Sequence, residues 1–344
     1  MSAPADLSPR TRPLLTTAVP QAGGLFKATP EDFEVEELPA YLPSGEGEHL
    51  FLWVEKVGRD TQEVVRALAA ALALPEQEIG HAGLKDRHAK TFQYLSVPAR
   101  CAPKLTDFSL EGVTLHRPTR HGNKLRPGHL VGNRFTLRLH DVQDVGALRA
   151  SLEVLEARGL PNAFGAQRFG RGGDNALQGL RLLTGERLAK RPSRFERKLF
   201  LSALQSELFN RALIARMEAD ALDRALPGDV LRKEESGGLF VCEDATVDQP
   251  RVEAWEVSAT GPIFGPKMRA PTGAVAEQES ALLASVGLSA EVFQRGRGET
   301  EGTRRPYRVR LGDVRCEDLG GGGVRLAFSL PSGSYATEVL RELL

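Results

Sequence analysis

Apolar and polar positions alternate with the period of a β-strand in several short segments of the N-terminal half. Strands are predicted on this basis at Phe33–Glu37, His49–Glu55, Phe92–Val97 and Phe135–Leu139. A helix is predicted to begin at Asp60, because a capping side chain is followed three positions later by an acid. Its buried face is predicted to contain Val64, Val65, Leu68, Ala71 and Leu72, and it stops before Pro75.

Further helical periodicity follows in the second half of the chain. Val145 to Arg158 is predicted to be a helix that ends at Gly159, and Arg194 to Leu226 has a long helical pattern. A strand at Val324–Leu330 and a short helix at Ala336–Leu344 are predicted to end the chain. Strands that alternate with helices in this way favour a mixed α/β or α+β domain.

Length and composition narrow the class of protein. A chain of 344 residues is long enough for two domains, and 41% hydrophobic with 26% charged residues is typical of a globular protein. No apolar run is long enough to cross a bilayer, and proline and charge interrupt the N-terminus where a signal peptide needs an apolar segment. The first 20 residues are therefore expected to be a loose tail.

Cysteine usage indicates the redox compartment. Cys101, Cys242 and Cys316 are far apart and lie outside any CxxC spacing, so the sequence supports neither a disulfide framework nor a zinc site. We expect a cytoplasmic protein that binds no metal.

Positive charge is unevenly distributed in a chain whose formal net charge is zero. From Gly112 to His140 there is no acidic residue, while Arg117, Arg120, Lys124, Arg126, Arg134 and Arg138 fall there. A second basic run contains Arg187, Lys190, Arg191, Arg194, Arg197 and Lys198, and a third contains Arg295, Arg297, Arg304, Arg305, Arg308 and Arg310. A single run usually marks a solvated face, but three runs together predict a basic surface that binds a polyanion.

The segment HAGLKDRHAKT, His81 to Thr91, contains the most informative candidate for chemistry. It places Asp86 among the basic residues Lys85, Arg87, His88 and Lys90. Nearby positive charge favours the carboxylate form, and such a carboxylate can act as a nucleophile or base toward a polyanionic substrate. Taken alone, the pattern also fits an ordinary turn, in which Asp bonds its own backbone.

This segment is one of six blocks that run from near the N-terminus to the chain end. They are LFKATPEDFEVEE, GEGEHLFLWVEK, HAGLKDRHAKT, GNRFTLRL, PNAFGAQRFGRGG and LPSGSYATEVLREL. In these blocks and in their order, the chain resembles the TruD family of tRNA pseudouridine synthases.

The resemblance implies a fold and an activity. The fold would be α+β, with a mixed or antiparallel sheet in the pseudouridine synthase domain, a second, inserted α/β domain, and a cleft between them. The catalytic domain would comprise residues 1–158 and 307–344, and the insert residues 159–306. The activity would be the isomerisation of uridine to pseudouridine in tRNA, with uridine 13 of the D-arm as target and no cofactor. We expect a monomer whose partner is tRNA.

The resemblance also implies roles for individual residues. Asp86 aligns with the catalytic aspartate, and Lys27 with its basic partner. Phe33, Phe135 and Tyr335 match positions around the target nucleotide. Asn133 is expected to bind the substrate too, and Arg168 is expected either to contact RNA or to pack against protein. An extruded base needs aromatic surfaces, and Phe135 would stack on it while Asn133 offers an amide on the same side of the strand. Phe33 and Phe135 as ordinary core side chains are the competing interpretation.

Two positions depart from the family pattern. Tyr335 stands where phenylalanine is usual, which keeps the ring and adds a hydroxyl. Ala163 stands where an aromatic residue is common, so the role of position 163 stays open. The block around it is expected to mark a hinge, with Phe164 and Phe169 used for packing and positioning.

Two other functional classes compete with the isomerase. A non-catalytic tRNA-binding protein or RNA chaperone would keep the basic surface without turnover. A nucleotide-dependent enzyme would use the glycine-rich segment Gly170 to Gly179, but this segment lacks both the P-loop lysine and the dinucleotide GxGxxG spacing. Whether Asp86 attacks the base, attacks the ribose or removes a proton is left open by the sequence.

Overall fold

The structure is a computed structural model that describes residues 7–27, 29–170, 172–295 and 298–344. Its strands, in chain order, are β1 (Leu25–Phe26), β2 (Phe33–Pro39), β3 (His49–Lys56), β4 (Gly80–His81), β5 (Lys90–Pro98), β6 (Val113–Leu115), β7 (Thr119–His121), β8 (Leu130–His140), β9 (Leu160–Pro161), β10 (Val230–Lys233), β11 (Leu239–Val241), β12 (Val257–Ile263), β13 (Thr303–Pro306), β14 (Arg308–Val309), β15 (Gly312–Gly320) and β16 (Gly323–Pro331).

The helices are α1 (Thr61–Leu72), α2 (Ala102–Leu105), α3 (Val145–Arg158), α4 (Asn175–Thr184), α5 (Arg194–Glu218), α6 (Ala245–Glu253), α7 (Gly273–Ala284), α8 (Val292–Arg295) and α9 (Ala336–Leu343). The predicted strands in the N-terminal half are all present, each extended by one or more residues.

Residue contacts divide the chain into two compact units. One, here called the sheet unit, comprises Pro20–Leu152, Leu311–Ala336 and Leu343–Leu344. The other, the insert unit, comprises Met1–Val19, Glu153–Arg310 and Thr337–Glu342. The two main divisions, after residues 152 and 310, lie within six residues of those expected after residues 158 and 306.

The sheet unit is built on one mixed sheet with the strand order β15-β16-β8-β2-β5-β3-β6. The short strands β1, β4 and β7 lie off this path and pair with β8, β5 and β3, respectively. The neighbours β2 and β5 run parallel, and the other pairs are antiparallel. The long strand β8 lies between β16 and β2, so its residues have strand neighbours on both sides.

Helix α1 covers one face of this sheet and begins as predicted. The Asp60 side chain accepts a hydrogen bond from the Glu63 amide at 2.8 Å, and the Glu63 carboxylate accepts one from the Asp60 amide at 2.9 Å. The apolar face of the helix packs on alternate residues of β3 and β5, namely Leu50, Leu52, Val54, Leu95 and Val97. Ala71 was expected on that face, but it is exposed and Ala69 is buried instead.

Helix α3 ends where the sequence predicts. Gly159 follows the helix with a φ of 86°, a conformation that side chains disfavour. A Cβ at this position would also lie 2.5 Å from the Trp255 ring. Both the backbone conformation and the close approach therefore require glycine.

The insert unit contains the antiparallel sheet β11-β10-β12-β13 and the helices α4 and α5, which pack against each other. Helix α5 begins at Arg194 with a Ser193–Glu196 capping box but ends at Glu218, eight residues before the predicted end. Beyond it the chain turns around the buried side chain of Arg216, which donates to backbone carbonyls of Ala221 and Arg224.

The expectation of a loose N-terminal tail is wrong for residues 7–19. Leu7 is buried, and Arg12 is only 5% exposed. Arg12 pairs with Glu338 at 2.9 Å and also with Glu342, both on α9. The sequence does not predict this pairing, because the carboxylates that neutralise Arg12 lie more than 300 residues away along the chain.

Candidate active site

Asp86 lies in the loop formed by residues 82–89, called here the Asp86 loop, which connects β4 to β5. The residue is exposed. Its Oδ1 accepts a hydrogen bond from the His88 amide at 3.0 Å, which is the Asx-turn geometry of a local side-chain contact. The carboxylate is therefore fixed in direction by its own turn and open to solvent and substrate.

Three of the basic neighbours of Asp86 make ion pairs with other carboxylates. Arg87 pairs with Glu63 at 2.5 Å, and Lys90 lies 3.2 Å from Glu55. Lys85 is buried and lies 3.6 Å from Glu37. Each of these three side chains therefore has an acidic partner on an adjacent element, while the charge of Asp86 also acts on Arg87.

A layer of buried polar side chains lies beneath the Asp86 loop and holds its backbone. The Thr61 hydroxyl accepts from the Lys85 amide at 2.8 Å, and Gln93 donates to the Gly83 carbonyl at 3.1 Å. Thr61 and Gln93 are joined by a hydrogen bond of 2.8 Å. Lys56 donates to the Asp86 carbonyl at 3.0 Å. Strand β5, helix α1 and strand β3 thus each contribute one anchor.

Sequence reasoning missed Lys56, although a signal was present. Leu50, Leu52, Val54 and Lys56 alternate along β3, and the first three face the core. The period of a strand therefore directs Lys56 to the buried face. A lysine on the apolar face of a strand needs dedicated partners.

Lys85 forms the centre of a second buried cluster, together with Glu37 on β2 and Asn133 on β8. The Lys85 ammonium donates to Oδ1 of Asn133, and the Tyr94 amide donates to Glu37 at 3.2 Å. Glu37 and Asn133 are partners in the β2–β8 register. Burial raises the pKa of Glu37 and lowers that of Lys85, and the opposite charge of each partner counteracts both shifts.

The predicted aromatic residues lie on the same sheet face as Asn133. Phe33 and Phe135 stack with ring centroids 6.3 Å apart and planes inclined by 14°. Phe328, the register partner of Phe135 on β16, lies 5.5 Å from it. Phe135 is 7% exposed, whereas Phe33 is only half-buried. The two predicted phenylalanine rings are thus in contact, and the ring of Phe33 is more accessible to solvent than that of Phe135.

Lys27 and Tyr335 lie outside the Asp86 loop, each shortly after a strand of the sheet unit. Lys27 is exposed just after β1, and within the described ranges no hydrogen bond or ion pair joins it to Asp86. Tyr335 is half-buried and follows β16, whose residue Leu330 is the register partner of Asn133. Both residues belong to the sheet unit.

Arg168 belongs to the insert unit, in a 3₁₀ turn at Ala166–Phe169. Its guanidinium donates to the Ser206 hydroxyl at 3.1 Å and lies 5.6 Å from the Phe164 ring centre. Phe169 and Ala163 are buried in the apolar clusters of this unit. Position 163 is therefore a core position in this chain, where alanine packs in the same cluster as Phe209.

The glycine-rich segment Gly170 to Gly179 has structural reasons for its glycines. Gly170 and Gly173 have positive φ angles of 81° and 71°. Gly179 lies within α4, and a Cβ there would be 2.2 Å from the Phe200 carbonyl oxygen on α5. Close packing of two helices accounts for this glycine without a nucleotide.

The basic runs differ in their surroundings. In the second run, Arg187, Lys190, Arg191, Arg194 and Lys198 are all exposed. In the third run, Arg304 pairs with Glu279 at 2.8 Å and Arg308 is 3% exposed, whereas Arg310 is exposed. Arg297 lies outside the described residues, as do residues 1–6, Ala28 and Arg171.

Two classes of feature are absent from the described ranges. Among their residues, no cluster of three or more His, Cys, Asp and Glu side chains has the arrangement of a metal site. No helix in this part of the chain is long and apolar enough to span a membrane.

Comparisons with known proteins connect this chain to a family. The sequence model of tRNA pseudouridine synthase D (TruD) matches residues 12–191 and 186–343. A tRNA pseudouridine synthase D of Anaeromyxobacter sp. (strain Fw109-5) is 48% identical over 337 residues, which cover 96% of this chain and 95% of the relative. One from Thermus thermophilus is 43% identical over 338 residues, covering 98% and 93%.

A solved crystal structure has the same fold. It is a Methanosarcina mazei protein that carries the name tRNA pseudouridine synthase D, and it superposes with a TM-score of 0.76 at 23% identity. The match covers 98% of this chain and 96% of the other, which confirms the predicted α+β fold. Together with the sequence matches, it shows that the chain belongs to the tRNA pseudouridine synthase D (TruD) family.

Proposed function

We propose that this chain converts uridine to pseudouridine in tRNA, with uridine 13 of the D-arm as its target and Asp86 as its catalytic residue. The observation that carries the proposal is an exposed carboxylate on a loop whose backbone is anchored by Lys56, Thr61 and Gln93. A reactive group that is held rigidly but is open to solvent has the preorganisation that catalysis needs. Membership of the family supports the substrate class.

The proposed reaction is an isomerisation. The bond from the uracil N1 to the ribose C1′ breaks, and a bond from C5 to C1′ forms. The proton leaves C5, N1 gains one, and no electrons are transferred to a second substrate. Asp86 is proposed to act as the nucleophile: the bond that its carboxylate forms to the substrate breaks again when the product forms, which regenerates the carboxylate. Lys27 is the proposed basic partner, and its exposed ammonium has no ion pair with the described residues.

Asn133, Phe33, Phe135 and Tyr335 are proposed to hold the extruded base. The Oδ1 of Asn133 is occupied by Lys85, which leaves the amide N–H groups to donate to the uracil carbonyls. The half-buried ring of Phe33 stacks on Phe135 and extends the aromatic surface toward solvent. Stacking of this kind stabilises a base that has left its helix.

The exposed cations of the second basic run and of the acid-free segment are proposed to bind tRNA phosphates, and Arg168 to contribute from the insert unit. The enzyme is proposed to act as a cytoplasmic monomer without a cofactor. The alternative, a tRNA-binding protein or RNA chaperone, would need these cations but not the anchored Asp86.

Turnover distinguishes the two functions. The purified protein is incubated with a transcribed tRNA, and pseudouridine is mapped at single-nucleotide resolution. We expect pseudouridine at position 13, no product from a tRNA with cytidine 13, and no product from Asp86→Asn. That variant should retain tRNA affinity within about threefold, because few phosphate contacts change. Binding without product by the wild-type protein would favour the alternative, and a fully active Asp86→Asn would refute the role of Asp86.

A further inference from the structure

We propose that Lys56 is a positioning residue for catalysis, whose buried ammonium fixes the backbone of the Asp86 loop at the point where the reactive carboxylate leaves it. The inference rests on the proposed function of Asp86. Lys56 is buried and its ammonium donates to three backbone carbonyl groups, so its effect on the reaction would be exerted through the loop.

The hydrogen bonds of Lys56 use the full capacity of its side chain. The residue is 1% exposed, and it donates to the carbonyl oxygens of Arg59 at 2.7 Å, Asp86 at 3.0 Å and Lys85 at 3.2 Å. An ammonium has three N–H donors, and here each has one backbone acceptor. Within the described ranges no ion pair includes Lys56. The side chain therefore joins the backbone at Arg59 to the backbone at Lys85 and Asp86, and it is not the ion-pair partner of a single carboxylate.

The position of the contact within the loop matters. The other anchors hold Gly83 and the Lys85 amide, which precede Asp86. The His88 amide bonds to Asp86 itself and so connects the loop only to its own residue. Lys56 thus supplies the polar contact that joins the Asp86 backbone to the sheet.

Burying a lysine costs free energy, because the ammonium is removed from water. A buried lysine is therefore expected to have a specific role. Burial lowers the pKa of Lys56 to about 8, while the negative charges of Asp60, Asp86 and Glu63 favour the ammonium and the positive charge of Lys85 opposes it. An apolar side chain of similar size would avoid this desolvation. The ammonium is retained where three carbonyl groups need donors, two of them in the Asp86 loop.

The charge state of Lys56 gives the proposal a pH signature. A neutral amine has two N–H donors, so deprotonation removes one of the three bonds to carbonyl groups. Activity should then fall as the pH rises through about 8, the pKa of Lys56 in the folded protein. A guanidinium stays charged throughout this range, so Lys56→Arg should lack this fall.

The test compares Lys56→Met and Lys56→Arg with two controls. Lys104→Met removes an exposed lysine that also donates to a carbonyl, that of Leu72 at 3.4 Å, but lies outside the loop. Leu68→Ala removes a fully buried side chain from the α1 core and so lowers stability without touching the loop. Each variant is measured for Tm, tRNA affinity, single-turnover rate and hydrogen exchange of the peptide covering residues 82–89.

For Lys56→Met we expect faster exchange in the Asp86 loop and a single-turnover rate about 100-fold lower, with tRNA affinity within about threefold. Lys104→Met should match the wild type in all measurements. Leu68→Ala should have a lower Tm but a normal rate at temperatures where it is folded. Where Lys56→Arg folds, it should recover part of the rate and lose the decline above pH 8.

Two results would overturn the proposal. One is unchanged exchange in the loop and a near-normal rate in Lys56→Met. The other is a loss of rate that follows Tm in the same proportion as in Leu68→Ala, which would make Lys56 a purely structural residue. Asp86→Asn separates this failure from that of the proposed function, since an inactive Asp86→Asn beside an active Lys56→Met refutes only the role of Lys56.

Discussion

The side-chain oxygen of Asn133 accepts a hydrogen bond from the ammonium of Lys85. This contact fixes the orientation of the amide, because an oxygen must point toward a lysine. The N–H groups of Asn133 consequently face away from Lys85, and a uracil carbonyl is a suitable acceptor for them. Lys85, which precedes the proposed catalytic Asp86 in sequence, therefore orients Asn133, the side chain that is proposed to bind the base.

Asn133→Asp tests this orientation. The new carboxylate can still accept from Lys85 but cannot donate to a base. It also adds a second negative charge beside Glu37, so we expect a lower Tm and, at temperatures where the variant is folded, tRNA affinity within about threefold and a single-turnover rate at least about tenfold lower. A normal rate would show that the amide N–H groups do not contact the substrate.

The Lys85–Glu37 pair predicts a pH-dependent stability. Lys85→Met leaves the Glu37 carboxylate buried without its cation, which should cost about 3–5 kcal/mol at neutral pH. Burial already raises the pKa of Glu37, and loss of Lys85 raises it further. The folded state then binds a proton that the unfolded state releases near pH 4.5, so the stability of the variant should increase as the pH falls.

Denaturant unfolding of the wild type and Lys85→Met between pH 5 and 8 measures this effect. The difference in unfolding free energy should narrow toward pH 5. Lys85→Met combined with Glu37→Gln should remove the pH dependence of the difference, because no buried carboxylate remains in the cluster. A constant difference at all pH values would contradict the buried-charge explanation.

Local signals were sufficient to predict the elements that carry the site. The capping pair of Asp60 and Glu63 locates the start of α1, and the alternation in Phe135–Leu139 locates the centre of β8. Both signals are short-range, because a cap is a contact over three residues and a strand has a fixed side-chain period.

Partners that are distant in sequence explain what could not be predicted. Lys85 and Arg87 stand beside Asp86, yet they pair with Glu37 and Glu63 on other elements. The pairing of Arg12 with α9 likewise joins opposite ends of the chain. Neither follows from a local pattern. The short strands of the insert unit were also missed, since runs of three or four residues carry little periodicity.

Phe135→Ala distinguishes a core role from a base-stacking role. Phe135 is 7% exposed, so Phe135→Ala should lower the free energy of unfolding by about 3–5 kcal/mol. Phe328→Ala is the matched control, since this ring packs on Phe135 and is fully buried. If Phe135 stacks on the base, Phe135→Ala should raise the activation free energy of the chemical step by about 1–3 kcal/mol more than Phe328→Ala does. Equal rates for the two folded variants would leave only the core role.

The second basic run predicts the salt dependence of tRNA binding. Its exposed cations Lys190, Arg191 and Arg194 have no ion pair among the described residues, so they are available to phosphates. Changing all three to Gln should reduce the slope of log affinity against log salt by about 0.7–0.9 for each phosphate that is no longer neutralised. The control changes Arg224, Arg251 and Lys267 to Gln, which removes the same charge from cations that already pair with Asp220, Asp248 and Glu301.

Phe195 provides a test of the same surface that does not depend on charge. It lies beside Arg194 at the start of α5, and its ring is 76% exposed. An exposed ring among cations suits an unstacked base, so Phe195→Ala should weaken tRNA binding by about 1–3 kcal/mol. Because every cation that binds a phosphate is retained, the salt slope should stay unchanged. A variant with wild-type affinity would show that RNA does not reach this ring, and a changed slope would show that Phe195 acts by positioning its charged neighbours.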